Sequence, residues 1–219
     1  MRVSTIRNQN FKGIPIADVS IFSKNITKKA KLFELTQNDN EFVKELWGNT
    51  DVSELWSGLA NYKYALWDEI IRRGLKLESL KESLSILEVQ DNRPCGVLNY
   101  TKIKDSHHLS YIATWPIKKG KKVPFAGKVL LKEFFERFVK SDSNRIYLEA
   151  IYNGPFDCVS KYLELGFKSI GGDEFLENMV LTKENALKAI KKLEENISSV
   201  KIKNSKDEDL FKFLKPKRI

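Results

Sequence analysis

Between residues 83 and 116 three runs of strand-forming residues, "SLSILEVQ", "PCGVLNYTKI" and "HLSYIATWP", follow one another with only short turns at Asp91-Asn92 and Asp105-Ser106 between them. Joins this short leave no room for a crossover, so the three runs must lie side by side as an antiparallel meander. The rest of the chain has to pack around that sheet. Upstream, "KLFELT" (31–36) is a further strand. "QNDNEFVKELW" follows as a short helix, with Asn38 or Asp39 at its N-cap and Phe42, Val43, Leu46 and Trp47 on one side. Asp51 then opens "VSELWSGLANYKYALWDEIIRRG", where Leu55, Leu59, Tyr62, Leu66 and Ile70 recur at helical spacing up to Gly74.

Downstream, helix and strand alternate. "KVLLKEFFERFVKS" puts Val129, Leu130, Phe134 and Phe138 on one side, "RIYLEAIYN" is a strand, and "PFDCVSKYLELG" is a helix closed by Gly166. "FKSIGGDEFLENMVLT" is a hairpin about Gly171-Gly172. The order β, α, α, β, β, β, α, β, α, β, β predicts an α/β (α+β) fold: a mixed, mostly antiparallel central sheet with helices on both faces. Residues 1–30, with "IPIADVSIF" as their most strand-like piece, read as an N-terminal extension and 31–182 as the main domain. Residues 183–219 read as a C-terminal helix, "KENALKAIKKLEENI", and a basic tail.

A net charge of +9 and a pI near 9.3 attract acidic partners, whether phosphate-bearing cofactors, nucleic acid or anionic surfaces, without choosing among them. No window approaches the ~18 apolar residues of a membrane span, which makes a cytoplasmic protein without membrane contact the expectation. Cys95 and Cys158 are far apart and the two histidines are adjacent, so neither a disulfide framework nor a metal site is expected.

Two motifs, in this order, resemble the GNAT superfamily of acyl-CoA-dependent N-acetyltransferases over about Leu32 to Leu181. "YLELGF" (162–167) is similar to the family's Tyr-x-x-x-Gly-Phe at the end of a helix. The strand ending in "ATWP" (113–116), its Lys/Gly loop and "GKVLL" are similar to the family's strand, phosphate loop and helix start. The chemistry of the residues agrees with that likeness. A loop entering a helix leaves about four unpaired N–H groups at the positive end of the helix dipole, a seat for a diphosphate. Gly127 permits close approach, and Lys118, Lys119, Lys121, Lys122 and Lys128 add positive charge. An ordinary solvated basic loop before a helix is the alternative. The family's loop reads Arg/Gln-x-x-Gly-x-Gly/Ala, whereas this chain has Lys122, Val123, Pro124, Phe125, Ala126 and Gly127, with Phe125 where the first glycine is expected.

The resemblance implies acetyl-CoA as cofactor, held by Ala113, Thr114, Lys119, Lys121, Lys122, Val123, Phe125, Ala126, Gly127 and Lys128, together with Asn153 and Phe156 after the "RIYLEAIY" strand. It implies transfer of an acetyl group to a primary amine, with Tyr162 as general acid for the departing thiolate and the oxyanion held by N–H groups where the "YIATW" strand bulges near Ala113 or Thr114. His108, six residues before Thr114, stands where one branch of the family has a glutamate base. Glu88 and Glu149 are the carboxylate alternatives for that role. Each of these residues also has a plain structural reading: Tyr162 as part of an apolar stripe with Val159 and Leu163, His108 as a turn histidine, Cys158 as a buried thiol. The acceptor stays open among a small amine, a protein or peptide amine and aminoacyl-tRNA. A homodimer is kept open, and so is a non-catalytic GNAT-like module that binds RNA or protein.

Overall fold

The computed structural model describes residues 13–23, 26–39, 62–76, 81–88, 93–115, 124–152, 157–197 and 200–204, and in it the meander is the middle of a nine-stranded sheet. The strands are β1 (Ile14–Ser23), β2 (Ile26–Leu35), β3 (Glu82–Glu88), β4 (Arg93–Ile103), β5 (Ser106–Thr114), β6 (Arg145–Ile151), β7 (Lys168–Gly172), β8 (Leu176–Thr182) and β9 (Val200–Asn204). The described helices are α1 (Tyr62–Leu75), α2 (Ala126–Lys140), α3 (Cys158–Glu164) and α4 (Lys183–Asn196). The strand order is β7-β8-β6-β5-β4-β3-β2-β1-β9. All neighbours run antiparallel except β5 and β6, which are parallel and joined through α2, as a parallel pair requires.

Helices cover both faces of the sheet, as the element order predicts. Along β4, Gly96 and Tyr100 face α2. A Cβ on Gly96 would lie 3.0 Å from Leu130 Cδ1, and the Tyr100 ring packs on Phe134 with centroids 4.8 Å apart. Val97 and Asn99 face α1 instead. There, a Cβ on Gly74 would meet Val97 Cγ1 at 2.8 Å and Asn99 Oδ1 at 3.1 Å. Gly74 is therefore not the stop that its position in the sequence suggests. α1 continues to Leu75, and the glycine lets the helix approach the sheet. On the other face, Val129, Leu130, Phe134, Phe135 and Phe138 of α2 are fully buried. α4 lies against α2, where Lys132 reaches Glu136 at 2.6 Å and Glu194 at 3.4 Å.

The boundary expected at residue 30 falls inside β2, and β1 pairs with both β2 and β9, so these segments extend the same sheet. The lysines of "ITKKAKLFEL" mask its alternation. Lys31 is nonetheless buried, with its ammonium 3.2 Å from Asp18 across the ladder. Asp39 accepts hydrogen bonds from Thr36 N (2.8 Å) and Thr36 Oγ1 (2.9 Å), closing a single 3-10 turn. The rest of the helix expected over "QNDNEFVKELW", beyond Asp39, lies outside the described residues. The C-terminal hairpin turns at Asp173–Phe175 rather than at the glycine pair. The Asp173 carboxylate accepts from Phe175 N at 2.7 Å and Leu176 N at 2.8 Å, while Gly172 lies in β7 opposite Glu177, where a Cβ would sit 2.1 Å from Leu176 O and only glycine fits.

Candidate active site

The sheet splits between its parallel strands. β5 and β6 pair only from Ser106↔Arg145 to Leu109↔Leu148, after which β5 follows β4 and leaves β6. A bulge accompanies the split. Asn99 lies opposite Tyr111 and Tyr100 opposite Leu109, which leaves Ser110 as the extra residue. The bulge also exchanges the faces of the strand. Before it, His107 points to the α2 side, its ring 5.4 Å from Tyr100 and 5.5 Å from Phe138. Beyond it Tyr111 points to the α1 side, with its Cβ 3.7 Å from a Cβ built on Gly74, and Thr114 points to the α2 side beside Gly96 and Gly127. The bulge expected near Ala113 or Thr114 is thus found earlier, at Ser110.

At the far end of this opening α2 begins. Phe125 is its N-cap residue, with φ 62° and ψ 3°, and it makes no side-chain cap; Val129 N donates to Phe125 O at 3.0 Å. Left-handed backbone at a bulky residue costs about 1–2 kcal/mol, and it explains why a glycine is the natural occupant here. The conformation persists without the glycine. The Phe125 ring packs against the core, with Lys128 Nζ 5.7 Å from its centroid. A Cβ on Gly127 would make only ordinary contact, 3.5 Å from Thr114 Cγ2. The first N–H groups of this 15-residue helix therefore adjoin a cavity of about 220 Å³ whose walls include Ala113, Thr114, Gly127, Leu131, Lys161 and Tyr162. Phe125 is not part of those walls.

Tyr162 reaches this cavity through the way its helix ends. Gly166, at φ 90°, donates to Leu163 O at 2.9 Å, and Phe167 N donates back to Tyr162 O at 3.1 Å. This is a Schellman closure, which requires a left-handed residue at Gly166. The Gly166 carbonyl accepts from Asn185 Nδ2 at 3.2 Å, anchoring the turn to α4. Phe167 then sets the edge of its ring against Tyr162, centroids 5.4 Å apart, and is itself buried beside Phe135. Tyr162 packs against the core with Val159 and Leu165, whereas Leu163 of the expected stripe is exposed, and Tyr162 also borders open space on two sides. It lines the cavity at α2 together with a second one of about 190 Å³, which runs through the split to Ile70 of α1. Cys158 and Ile112 are the other residues that the two cavities share. Burial, then the neighbouring Cys158, push the Tyr162 phenol well above the ordinary tyrosine range, so its proton is held at neutral pH. Burial likewise raises the Cys158 thiol, which is accordingly no activated nucleophile. Gly166→Ala should cost about 1–2 kcal/mol in urea unfolding by forcing a side chain into the left-handed turn, and it should misplace Tyr162. A change below a few tenths of a kcal/mol would show that the turn does not depend on glycine.

The other expected residues divide by position. Ala113, Thr114, Gly127 and Tyr162 come together around one cavity. Ala126 is buried and Lys128 is half-buried at the helix start. Lys119, Lys121, Lys122, Val123, Asn153 and Phe156 lie outside the described residues. His108 stacks on Tyr147, centroids 5.3 Å apart, and with Glu149 lines a third cavity of about 490 Å³. Glu149 also borders the second cavity. Glu88, by contrast, ends β3 opposite Arg93 and is separated from the split by β4 and β5, so it is displaced as a candidate base in favour of Glu149. Sequence reasoning missed Tyr111, a wall of the second and third cavities. Its direction follows from the bulge, for which the sequence carries no signal.

No protein-family model and no curated protein matches the sequence. Among solved structures, the chain is similar to FdhC, a nucleotide-linked sugar GNAT, at 17% identity over 78% of this chain and 93% of that one, with a TM-score of 0.48. It is similar to the PaiA N-acetyltransferase of Thermoplasma acidophilum in complex with coenzyme A, at 19% identity over 70% and 98% of the two chains, with a TM-score of 0.47. It is also similar to the spermidine N-acetyltransferase of Vibrio cholerae, at 18% identity over 72% and 96%, with a TM-score of 0.46.

Proposed function

We propose that this chain is a GNAT-type N-acetyltransferase that moves an acetyl group from acetyl-CoA to a primary amine. The observation that carries the reading is Tyr162, a protonated phenol on the wall between two cavities at a split between parallel strands. One cavity ends at an uncapped helix N-terminus, suited to an anion, and the other extends to the opposite face. Bound coenzyme A would supply the acyl group as an activated thioester. The N–H groups at the start of α2, the space over Gly127, Lys128 and the loop lysines Lys119, Lys121 and Lys122 would hold its diphosphate. In the transfer a C–N bond forms, the C–S bond breaks, the amine nitrogen loses a proton and the sulfur gains one. With the thioester bound, N–H groups on the edge of β5 that β6 has left, between Ser110 and Thr114, would be the donors to its carbonyl oxygen. Tyr162 would hold the proton that the leaving thiolate needs. Glu149, or His108 in the adjoining cavity, would take the amine proton through water, and solvent would reprotonate Tyr162.

Titration calorimetry with acetyl-CoA tests this directly when wild type is compared with Gly127→Val. A valine at Gly127 fills the space above the helix start, and the fold has room for its Cβ. The variant should therefore bind acetyl-CoA at least about tenfold more weakly, an effect of 1.4 kcal/mol or more, with an unchanged unfolding midpoint. Absence of binding to wild type at millimolar cofactor would remove the enzyme reading.

A further inference from the structure

Three cavities meet at Tyr111. The one beside Tyr162 has a volume of about 190 Å³, and its walls include the apolar side chains of Ile70, Ile112, Leu148 and Leu176. Two wider spaces lie beyond Tyr111, about 490 Å³ over His108, Tyr147 and Glu149 and about 430 Å³ at the end of α1. Tyr162 borders neither of these, whereas Tyr111 alone among the described residues borders all three. The space next to the phenol is therefore less than half the volume of either space outside it, and the Tyr111 ring stands where they join. The narrow cavity also shares Leu109, Ser110, Leu148 and Glu149 with the 490 Å³ one. Both leucines are buried in the core and Ser110 is small, so the bulk that narrows the junction is the tyrosine ring. Its place is fixed from three directions. The bulge at Ser110 turns it toward α1, Gly74 lets that helix come within 3.7 Å of the Tyr111 Cβ, measured to a Cβ built on the glycine, and the Lys81 ammonium sits 5.2 Å from the ring centre. Packing of α1 on the sheet accounts for the first two contacts but not for a ring that faces open space on its other sides.

We propose that Tyr111 determines acceptor specificity: its ring narrows the way to the thioester, so that amines on an unbranched CH₂ carbon pass and amines on a branched carbon are refused. The inference rests on the transfer reading and names the acceptor class for that site. The test compares two isomeric pairs of equal charge and carbon number, n-butylamine with sec-butylamine and n-hexylamine with 2-aminohexane, by release of the CoA thiol from acetyl-CoA. Wild type should favour the unbranched member of each pair in kcat/KM by about tenfold or more, the scale of one misplaced methyl group in a pocket. Tyr111→Ala joins the spaces and should lower that ratio by about fivefold or more. Tyr111→Trp narrows the junction and should raise the ratio, and Tyr111→Phe, which keeps the ring, should hold it within about twofold. Comparing one pair across variants cancels the difference in solution reactivity between the isomers. The tryptophan variant decides the matter by itself if the alanine variant does not fold. Equal use of both isomers by wild type, or a ratio that the folded alanine and tryptophan variants leave unmoved, overturns the inference and leaves the transferase standing. A fall in Tyr111→Phe as large as in Tyr111→Ala assigns the effect to the hydroxyl and overturns it as well. Failure to release the CoA thiol with every amine overturns both readings.

Discussion

Tyr162→Phe should lower kcat for acetyl transfer about a hundredfold or more, the usual scale for losing a positioned general acid, while the Kd for acetyl-CoA stays within about twofold. The phenol has no other evident contribution to remove. Its ring packs on Phe167 and the α2 core, contacts that phenylalanine keeps, so the substitution deletes a proton donor with little loss of packing. Unchanged turnover would assign the proton to another group and reduce Tyr162 to a core residue. The same variant has a signature in stability. The Tyr162 and Cys158 side chains are held above their ordinary values of 10.0 and 9.0. The folded state therefore favours their protonated forms more than the unfolded chain does. Their contribution is fully present below those ordinary values and is lost as pH climbs above them. Urea unfolding from pH 8 to pH 11 should show wild type losing more stability than Tyr162→Phe.

Arg137→Met should cost about 2–4 kcal/mol, somewhat below the range for fully buried ion pairs because the side chain keeps some access to water. Arg137 lies on α2 and ties it to two strands. Its Nη1 reaches Glu34 of β2 at 2.8 Å and Glu82 of β3 at 3.8 Å, and its Nε reaches Glu133 at 2.8 Å. Tyr100 donates to Glu82 within the same group. Burial works against the charge of Arg137, yet hydrogen bonds with Glu133, Glu34 and Tyr100 outweigh it and hold the guanidinium above its ordinary range. Methionine fills the volume but takes the guanidinium away from Glu34, Glu82 and Glu133. The unfolding midpoint should fall by roughly 5–10 °C for a chain of this size. Arg137→Lys should recover part of the loss, because it restores the charge without the planar fork. A loss below about 1 kcal/mol in Arg137→Met would mean that solvent already screens these charges.

The split in the sheet bears on how the site could be read in advance. "YLELGF" announced both the helix stop and the tyrosine, because a Schellman turn depends on one local residue, Gly166, and on the phenylalanine that follows it. Gly127 and the start of α2 were legible for the same reason. Phe125 shows the limit of that legibility: its backbone adopts a left-handed conformation that a glycine would favour, although its side chain argues otherwise. The bulge at Ser110 left no trace in "HLSYIATWP", since alternation of apolar and polar residues looks the same whether or not one residue is skipped. It decides that Tyr111 faces α1 and that Thr114 faces α2.

What the sequence alone determined was the set and order of elements from β3 to β8, the apolar face of α2 and the closure of α3 at Gly166, all of which follow from periodicity and from single backbone preferences. Only the tertiary structure decided that β1, β2 and β9 complete the same sheet, that β5 parts from β6 beyond Leu109, and that three cavities meet at Tyr111. These features depend on pairings between residues distant in the chain. Backbone hydrogen bonds and side-chain placement across such distances are set by how the whole sheet twists and packs, not by any short run of side chains.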